Sequence, residues 1–264
     1  MLGFGLGLRG GSGASPGPAA IFGATAFAAF DLADAAQLDQ VSGGGSPVTA
    51  AGQPVGRVLA TGTGQASIST ASRRPTWQGN STEFDGVDDW LELDAAVRDV
   101  TRNAAGLTLW AAVRPSSLAG AQALVSCSTT SAGLTRISVG VQPGGAVRVV
   151  VRRADGDPAT IADSAAGVVA AGADAMIVAT VDYLNGGANA ISAWVNRMPV
   201  IGQTLSGTGN SSDTAGGRGR LGADLSAGPG QMLTGRMSRA GVAGRLCTAT
   251  EAQMLTTYMQ GAMG

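Results

Sequence analysis

Short runs in which apolar and polar residues alternate, separated by Gly, Asn and Asp, dominate the chain from Thr82 onward. A period of two puts successive side chains on opposite faces of an extended chain, so these runs predict strands rather than helices. In LTLWAAVRP (107–115), Leu107, Leu109, Ala111 and Val113 share one face, while Thr108, Trp110, Ala112 and Arg114 share the other. AQALVSCS (121–128), LTRISVGVQ (134–142) and AVRVVVRR (146–153) follow, the last with Val147, Val149 and Val151 on one side and Arg148 and Arg152 on the other. DAMIVATVDY (174–183) and AISAWVNRMPV (190–200) make a further pair, joined through Leu184-Asn185-Gly186-Gly187. Asn196-Arg197 stands where a second tight turn is expected. RLGADL (220–225) and QMLTGRMSRAGVAG (231–244) complete the extended segments.

The two ends break this pattern. In CTATEAQMLTTYMQ, Thr248 or Thr250 serves as an N-cap and Glu251 falls in the first turn. Met254, Leu255, Tyr258 and Met259 then recur at helical spacing, which predicts a helix over 248–260. Residues 1–28 alternate Gly with Leu and Phe before a Gly/Ser/Pro stretch, and such sequence buries too little to fold alone. It reads as an extended arm, either docking onto another protein through Phe4, Leu6 and Leu8 or left as a tail. In residues 29–76, Asp31 and Asp34 are placed to cap a short helical turn, and an extended piece is expected around Val55 to Leu59. The expected organisation is therefore an arm (1–28), a leading segment packed on the main body (29–76), and a main body (77–264). Eight or more short strands closed by one helix predict an all-β, two-sheet antiparallel sandwich of jelly-roll type.

Composition narrows the chemistry. Charged residues make up only 13% of the 264 positions, about half the usual share, and Gly is present 42 times. No apolar run approaches the roughly 20 residues of a membrane-spanning helix, so no membrane insertion is expected. All 17 basic residues are Arg and His is 0, which excludes a Ser-His-Asp triad, a Cys-His pair and most zinc sites. A formal net charge of -1 offers no electrostatic footprint for nucleic acid. Cys127 and Cys247 lie 120 positions apart with no ligand-like spacing, and two buried thiols are expected rather than a disulfide. Arg9 precedes an apolar stretch, but the intervening Gly/Ser/Pro spacer is wrong for a signal peptide.

The most tempting remaining chemistry is an acidic cluster. Asp85, Asp88 and Asp89 cluster with Glu83 and Glu92 in STEFDGVDDWLEL. Asp85-Gly86 is a preferred tight-turn dipeptide, so a hairpin is expected here, with Asp85, Gly86 and Asp88 as turn residues. Glycoside hydrolysis needs two acids flanking one bond, and no strand carries closely alternating acids. No catalytic residue is assigned, and the chain reads as a non-enzyme.

The order of motifs resembles a known family. FDGVDDWLEL (84–93), LTLWAAVRP (107–115), SAWVNRMPV (192–200) and MLTGRMSRAGVAGRLCTATEAQML (232–255) resemble the laminin-G-like, concanavalin-A-like jelly roll. The upstream FDLADAAQLDQ, SPVTAAGQPVGRVLA and RRPTW look like a segment preceding this domain in phage tail-fibre and other virion proteins, and in gene-transfer-agent relatives. The likeness spans roughly 29–260, with Ala60-Thr61-Gly62-Thr63-Gly64-Gln65 replacing the polar run usual in the upstream segment.

That resemblance implies a fibre, spike or decoration protein of a virion. Its arm would engage capsid or tail, and its lectin-like domain would contact host polysaccharide or neighbouring subunits, in a trimer. A secreted bacterial carbohydrate-binding protein or glycan-active enzyme is the alternative. Lectin-like folds bind sugars on aromatic platforms, which singles out Trp110, Arg114 and Trp194 on a concave sheet, against core or interface roles for the same tryptophans. Laminin-G-like domains often hold calcium at the rim, and Asp155, Asp157, Asp163, Asp213 and Asp224 fall in loops or strand ends. No D-x-D-x-D-G loop groups them, so calcium stays open without assigned ligands, and no other cofactor is expected.

Overall fold

The computed structural model describes residues 16–128, 135–214, 217–225 and 231–263. Phe4, Leu6 and Leu8 lie outside the described residues. Among those described, a short helix α1 (Pro18–Phe22) comes first, with extended Gly17 as N-cap and Pro18 supplying the preset φ of a first helical position. Strands β1 (Phe27–Asp31), β2 (Leu38–Asp39), β3 (Arg57–Gly62), β4 (Gln65–Ser67), β5 (Thr76–Trp77), β6 (Thr82–Asp85) and β7 (Leu91–Leu93) follow. A single turn of helix, α2 (Ala95–Asp99), is capped by the Asp94 side chain. Then come β8 (Gly106–Pro115), β9 (Gln122–Ser128), β10 (Thr135–Val141), β11 (Val147–Val151), β12 (Thr160–Asp163) and β13 (Ala175–Asp182). The last strands are β14 (Ile191–Val195), β15 (Met198–Gln203), β16 (Gly219–Leu221) and β17 (Thr234–Ala243), before helix α3 (Ala249–Gln260).

All pairings between these strands are antiparallel, and they form two sheets. In the first, β17 pairs along its length with β8 on one side. On its other side β17 pairs with β6 at its start and β1 at its end. The sheet continues from β8 through β13 and β14 to β15, and β5 extends it beyond β6. The second sheet runs β2, β3, β4, β7, β16, β9, β10, β11, β12. Strand β3 belongs to both, since Arg57 to Leu59 pair with β4 while Ala60 to Gly62 pair with β1.

The alternation read from the sequence packs the space between the sheets. Leu107, Leu109, Ala111 and Val113 of β8 and Ile177, Ala179 and Val181 of β13 are fully buried from one side. Val125, Val139, Val147, Val149 and Val151 meet them from the other, each fully buried. Burying a side chain of this size contributes roughly 1.5–3 kcal/mol, so this layer is the main source of stability.

A second apolar cluster lies on the outer face of the first sheet. Trp110, Ala112, Met176 and Val178 are covered there by Ile21 and Phe22 of α1 and by Ala252, Leu255 and Met259 of α3. Helix α3 starts with a capping box, Thr248 accepting from the Glu251 amide and Glu251 from the Thr248 amide. Arg245 fastens both helices: it donates to Glu251 at 2.6 Å and to the Ile21 carbonyl at 2.5 Å, with its guanidinium 4.9 Å from the Phe22 ring centroid.

Three expectations change at this level. The hairpin expected at Asp85-Gly86 is a crossing instead, because among the described residues β6 pairs with first-sheet strands alone and β7 with second-sheet strands alone. Phe84, Leu91 and Leu93 are all buried between the sheets, which a corner satisfies as well as a hairpin does. The arm boundary at 28 cuts into β1, and the leading segment does not pack from outside. It supplies strands to both sheets. By contrast, Asn196 and Arg197 have φ of 49° and 75° and form the tight β14–β15 turn, as their place in the pattern predicts.

Candidate functional site

The aromatic platform expected at Trp110 does not exist. Trp110 is fully buried, stacked on Phe22 with ring centroids 5.4 Å apart, so no ligand reaches it. The out-of-phase tryptophan serves the second core, because α1 and α3 cover the face that would have met solvent. Trp194 is partly buried against the same cluster. Arg114 lies on the same sheet face beyond the helices, bound to Asp174 through two hydrogen bonds of 2.6 and 2.8 Å. The three residues therefore do not make one site.

The acidic turn is built from its own backbone. Oδ1 of Asp85 accepts from the amides of Val87 and Asp88, and Oδ2 of Asp89 accepts from the Asp85 amide at 3.0 Å. Gly86 takes φ 77°, a left-handed conformation that a side chain would strain. The Asp88 carboxylate lies 3.7 Å from Arg73. One oxygen from each of Asp85, Asp88 and Asp89 falls within 4.8 Å of the others, a spacing that would suit a hard cation. Burial pushes the Asp89 carboxyl up to about 6, with Asp85 and Asp88 adding to the rise and the Asp85 amide opposing it. Of the rim aspartates, Asp157 pairs with Arg153 and Asp163 with Arg148, so these two are spoken for by guanidinium groups.

This turn delivers the chain to Trp90, and there a different arrangement emerges. The Trp90 ring is flanked by two guanidinium groups, Arg73 and Arg220, each 4.7 Å from the ring centroid. Arg73 ends a 3-10 turn (Ala71–Arg73), and Arg220 lies in β16. Strand register puts Glu92 of β7 directly opposite Arg220, and the pair closes to 3.2 Å. Arg220 also donates to the Asp224 carbonyl at 2.8 Å, which fixes its orientation. The same register extends sideways: Arg57, Ser67, Glu92, Arg220, Ser126 and Ser138 form a polar row across six strands on the outer face of the second sheet. An open groove of about 620 Å³ runs over this face, lined by Ser67, Ser69, Arg73, Trp90, Glu92 and Arg218 among others.

No family model matches the chain, and no curated protein matches it. Solved structures do. The chain is similar to a sialidase of Trypanosoma rangeli in complex with 2,3-difluoro-KDN, at TM-score 0.56 and 14% identity, over 83% of this chain and 34% of that one. It is similar to a mutant NanB sialidase from Streptococcus pneumoniae, at TM-score 0.53 and 16% identity, over 66% of this chain and 27% of that one. The Ruminococcus gnavus IT-sialidase CBM40 bound to α2,3 sialyllactose gives TM-score 0.49 and 17% identity, over 58% of this chain and 83% of that one. The likeness is one of fold. The chain is an all-β, antiparallel, jelly-roll-like sandwich with a short C-terminal helix, and it shares its fold with part of each of the first two enzymes.

Chemically, the groove offers planar, multidentate donors beside an aromatic edge. Arginine forks recognise carboxylates and vicinal oxygens in two-point contacts, and Arg73, Arg218 and Arg220 outnumber the lone Glu92 on the groove wall. In the sequence Trp90 stands only as a neighbour of the Asp85-Gly86 turn. Its partners come from positions 17 residues before it and 130 after it, so no local spacing could announce them.

Proposed function

We propose that the chain is a non-catalytic carbohydrate-binding module that holds an acidic glycan in the Trp90 groove. One observation carries the reading: two guanidinium groups clasp Trp90 at the floor of an open, polar groove. Arg73 and Arg218 offer the carboxylate contacts, Glu92 accepts from sugar hydroxyls, and buried Arg220 keeps Glu92 and Trp90 in register. The acids of the Asp85 turn already accept from backbone amides, which supports binding rather than hydrolysis. The difluorinated sialic acid of a T. rangeli complex suggests the probe, a sialylated glycan. The sialidase likeness favours a carbohydrate-binding protein over a fibre, spike or decoration of a virion. In either setting the module works on an outer surface, where glycans are.

Calorimetric titration of the full chain with 3′-sialyllactose and with lactose tests this. Sialyllactose should bind more tightly, and Arg73→Ala with Arg218→Ala should weaken it by roughly tenfold or more. Equal affinity for both sugars, or sialyllactose binding untouched by the double variant, would overturn the reading.

A further inference from the structure

A second groove lies on the opposite side of the sandwich, on the part of the first sheet that α1 and α3 leave uncovered. Strand register lines up Glu83 of β6, Arg236 of β17 and Arg114 of β8 in one lateral row. Asp174 closes that row through its two hydrogen bonds with Arg114. The four charges therefore run acid, base, base, acid across the sheet. Only one end of the row is internally satisfied. Glu83 and Arg236 stand directly opposite on neighbouring strands, yet among the described residues their side chains form no ion pair and no hydrogen bond.

The space above them is open. Glu83, Arg114, Ser116 and Arg236 line a cavity of about 300 Å³. Arg114 and Arg236 also line a smaller one of about 40 Å³ with Asn80 and Ser81, while Glu83 and Ser116 line a third of about 290 Å³ beside the Asp85 turn. The three share wall residues, and the trough over Glu83 and Arg236 is the cavity of about 300 Å³.

The charges choose the ligand class. A free carboxylate would meet Glu83 beside Arg236, and a cation would meet Arg236 and Arg114. A pair of neighbouring hydroxyls meets no such conflict, because one donates to Glu83 while the other accepts from Arg236. We infer that this trough is a second saccharide site, selective for uncharged sugars, with Glu83 and Arg236 binding adjacent hydroxyls of one ring. The module is then bivalent, with an acidic-glycan groove on one sheet and a neutral-sugar trough on the other. Two sites on opposite faces let one molecule bridge two glycan chains.

Amide chemical-shift mapping on the isotope-labelled full chain separates the two sites. Galactose, glucose and lactose are the probes for the trough, and 3′-sialyllactose is the probe for the groove. At least one neutral sugar should shift the amides around Glu83, Ser116 and Arg236. Glu83→Gln and Arg236→Ala, both at half-exposed positions, should each weaken that response by roughly tenfold while leaving the remaining spectrum in place. The response should persist in Arg73→Ala/Arg218→Ala, so loss of the groove and loss of the trough are distinguishable. Shifts confined to the Trp90 groove, no shift with any of the three sugars, or a response unchanged by both trough variants would overturn the inference.

Discussion

Phe22 and Trp110 stack with ring planes 17° from parallel, and this contact ties the start of the described chain to the central strand β8. Gly241, opposite Trp110 on β17, makes room for it, since a Cβ there would lie 2.1 Å from the indole. Trp110→Ala should therefore cost about 3–5 kcal/mol, read as a lowered urea midpoint. The indole Nε1 is buried without an acceptor among the described residues. Trp110→Phe should accordingly cost much less, because it removes an unsatisfied donor along with some volume. Neither variant should change glycan affinity of the folded protein.

The same residue shows where sequence reasoning reached its limit. Alternation correctly set Trp110 opposite Leu109 and Ala111, but it could not say that both faces of β8 are buried. What covers the outer face is α3, legible from Thr248 and Glu251, together with α1, which hides in Gly-rich sequence. Strand β1 escaped for a related reason: Phe27 and Ala29 face the outer cluster while Ala28 and Phe30 face the inner one, so all four are apolar and no alternation shows. The Arg73, Trp90 and Arg220 cluster is assembled only by the packing of segments distant in sequence, a 3-10 turn, the residue before β7 and strand β16.

Gly86 tests the corner between the sheets. Its φ of 77° is unfavourable for any side chain, and a Cβ would sit 1.9 Å from Oγ1 of Thr234. Gly86→Ala should lower stability by about 2 kcal/mol or more, through left-handed strain and displacement of Thr234. Because the corner leads into Trp90, 3′-sialyllactose affinity should fall as well, measurable by calorimetry on the folded variant.

Two carboxylates predict opposite pH responses. Asp89, raised to about 6 chiefly by burial, is held more easily as the neutral acid in the folded chain. Its contribution is full below about pH 4, the ordinary aspartate range, and is lost as the pH rises through about 6. Glu251 is pulled down to about 2, first by Arg245 and then by the Thr248 amide and hydroxyl, with burial opposing. Its contribution is full above the ordinary glutamate range and is lost as the pH falls toward 2. Melting temperatures across this range should show Asp89→Asn flattening the upper limb and Glu251→Gln flattening the acid limb.

Cys127 and Cys247 lie in different apolar clusters, the first between the sheets and the second under the outer helices. Both are free and buried, and burial pushes their thiols up to about 12 and about 11. A thiolate is the reactive form, so neither should react with a disulfide reagent at neutral pH in the native chain. Both should react in denaturant. The rates carry more information than the endpoints. Cys127 is enclosed by both sheets and opens only with the whole sandwich. Cys247 is shielded largely by α3, whose amphipathic face detaches without breaking any strand pairing. Labelling of Cys247 should therefore precede that of Cys127 under mild denaturant, and Thr248→Ala, which removes the helix cap, should widen the gap by several-fold. Equal rates in the wild type and the cap variant would mean that helix and sandwich unfold as one unit.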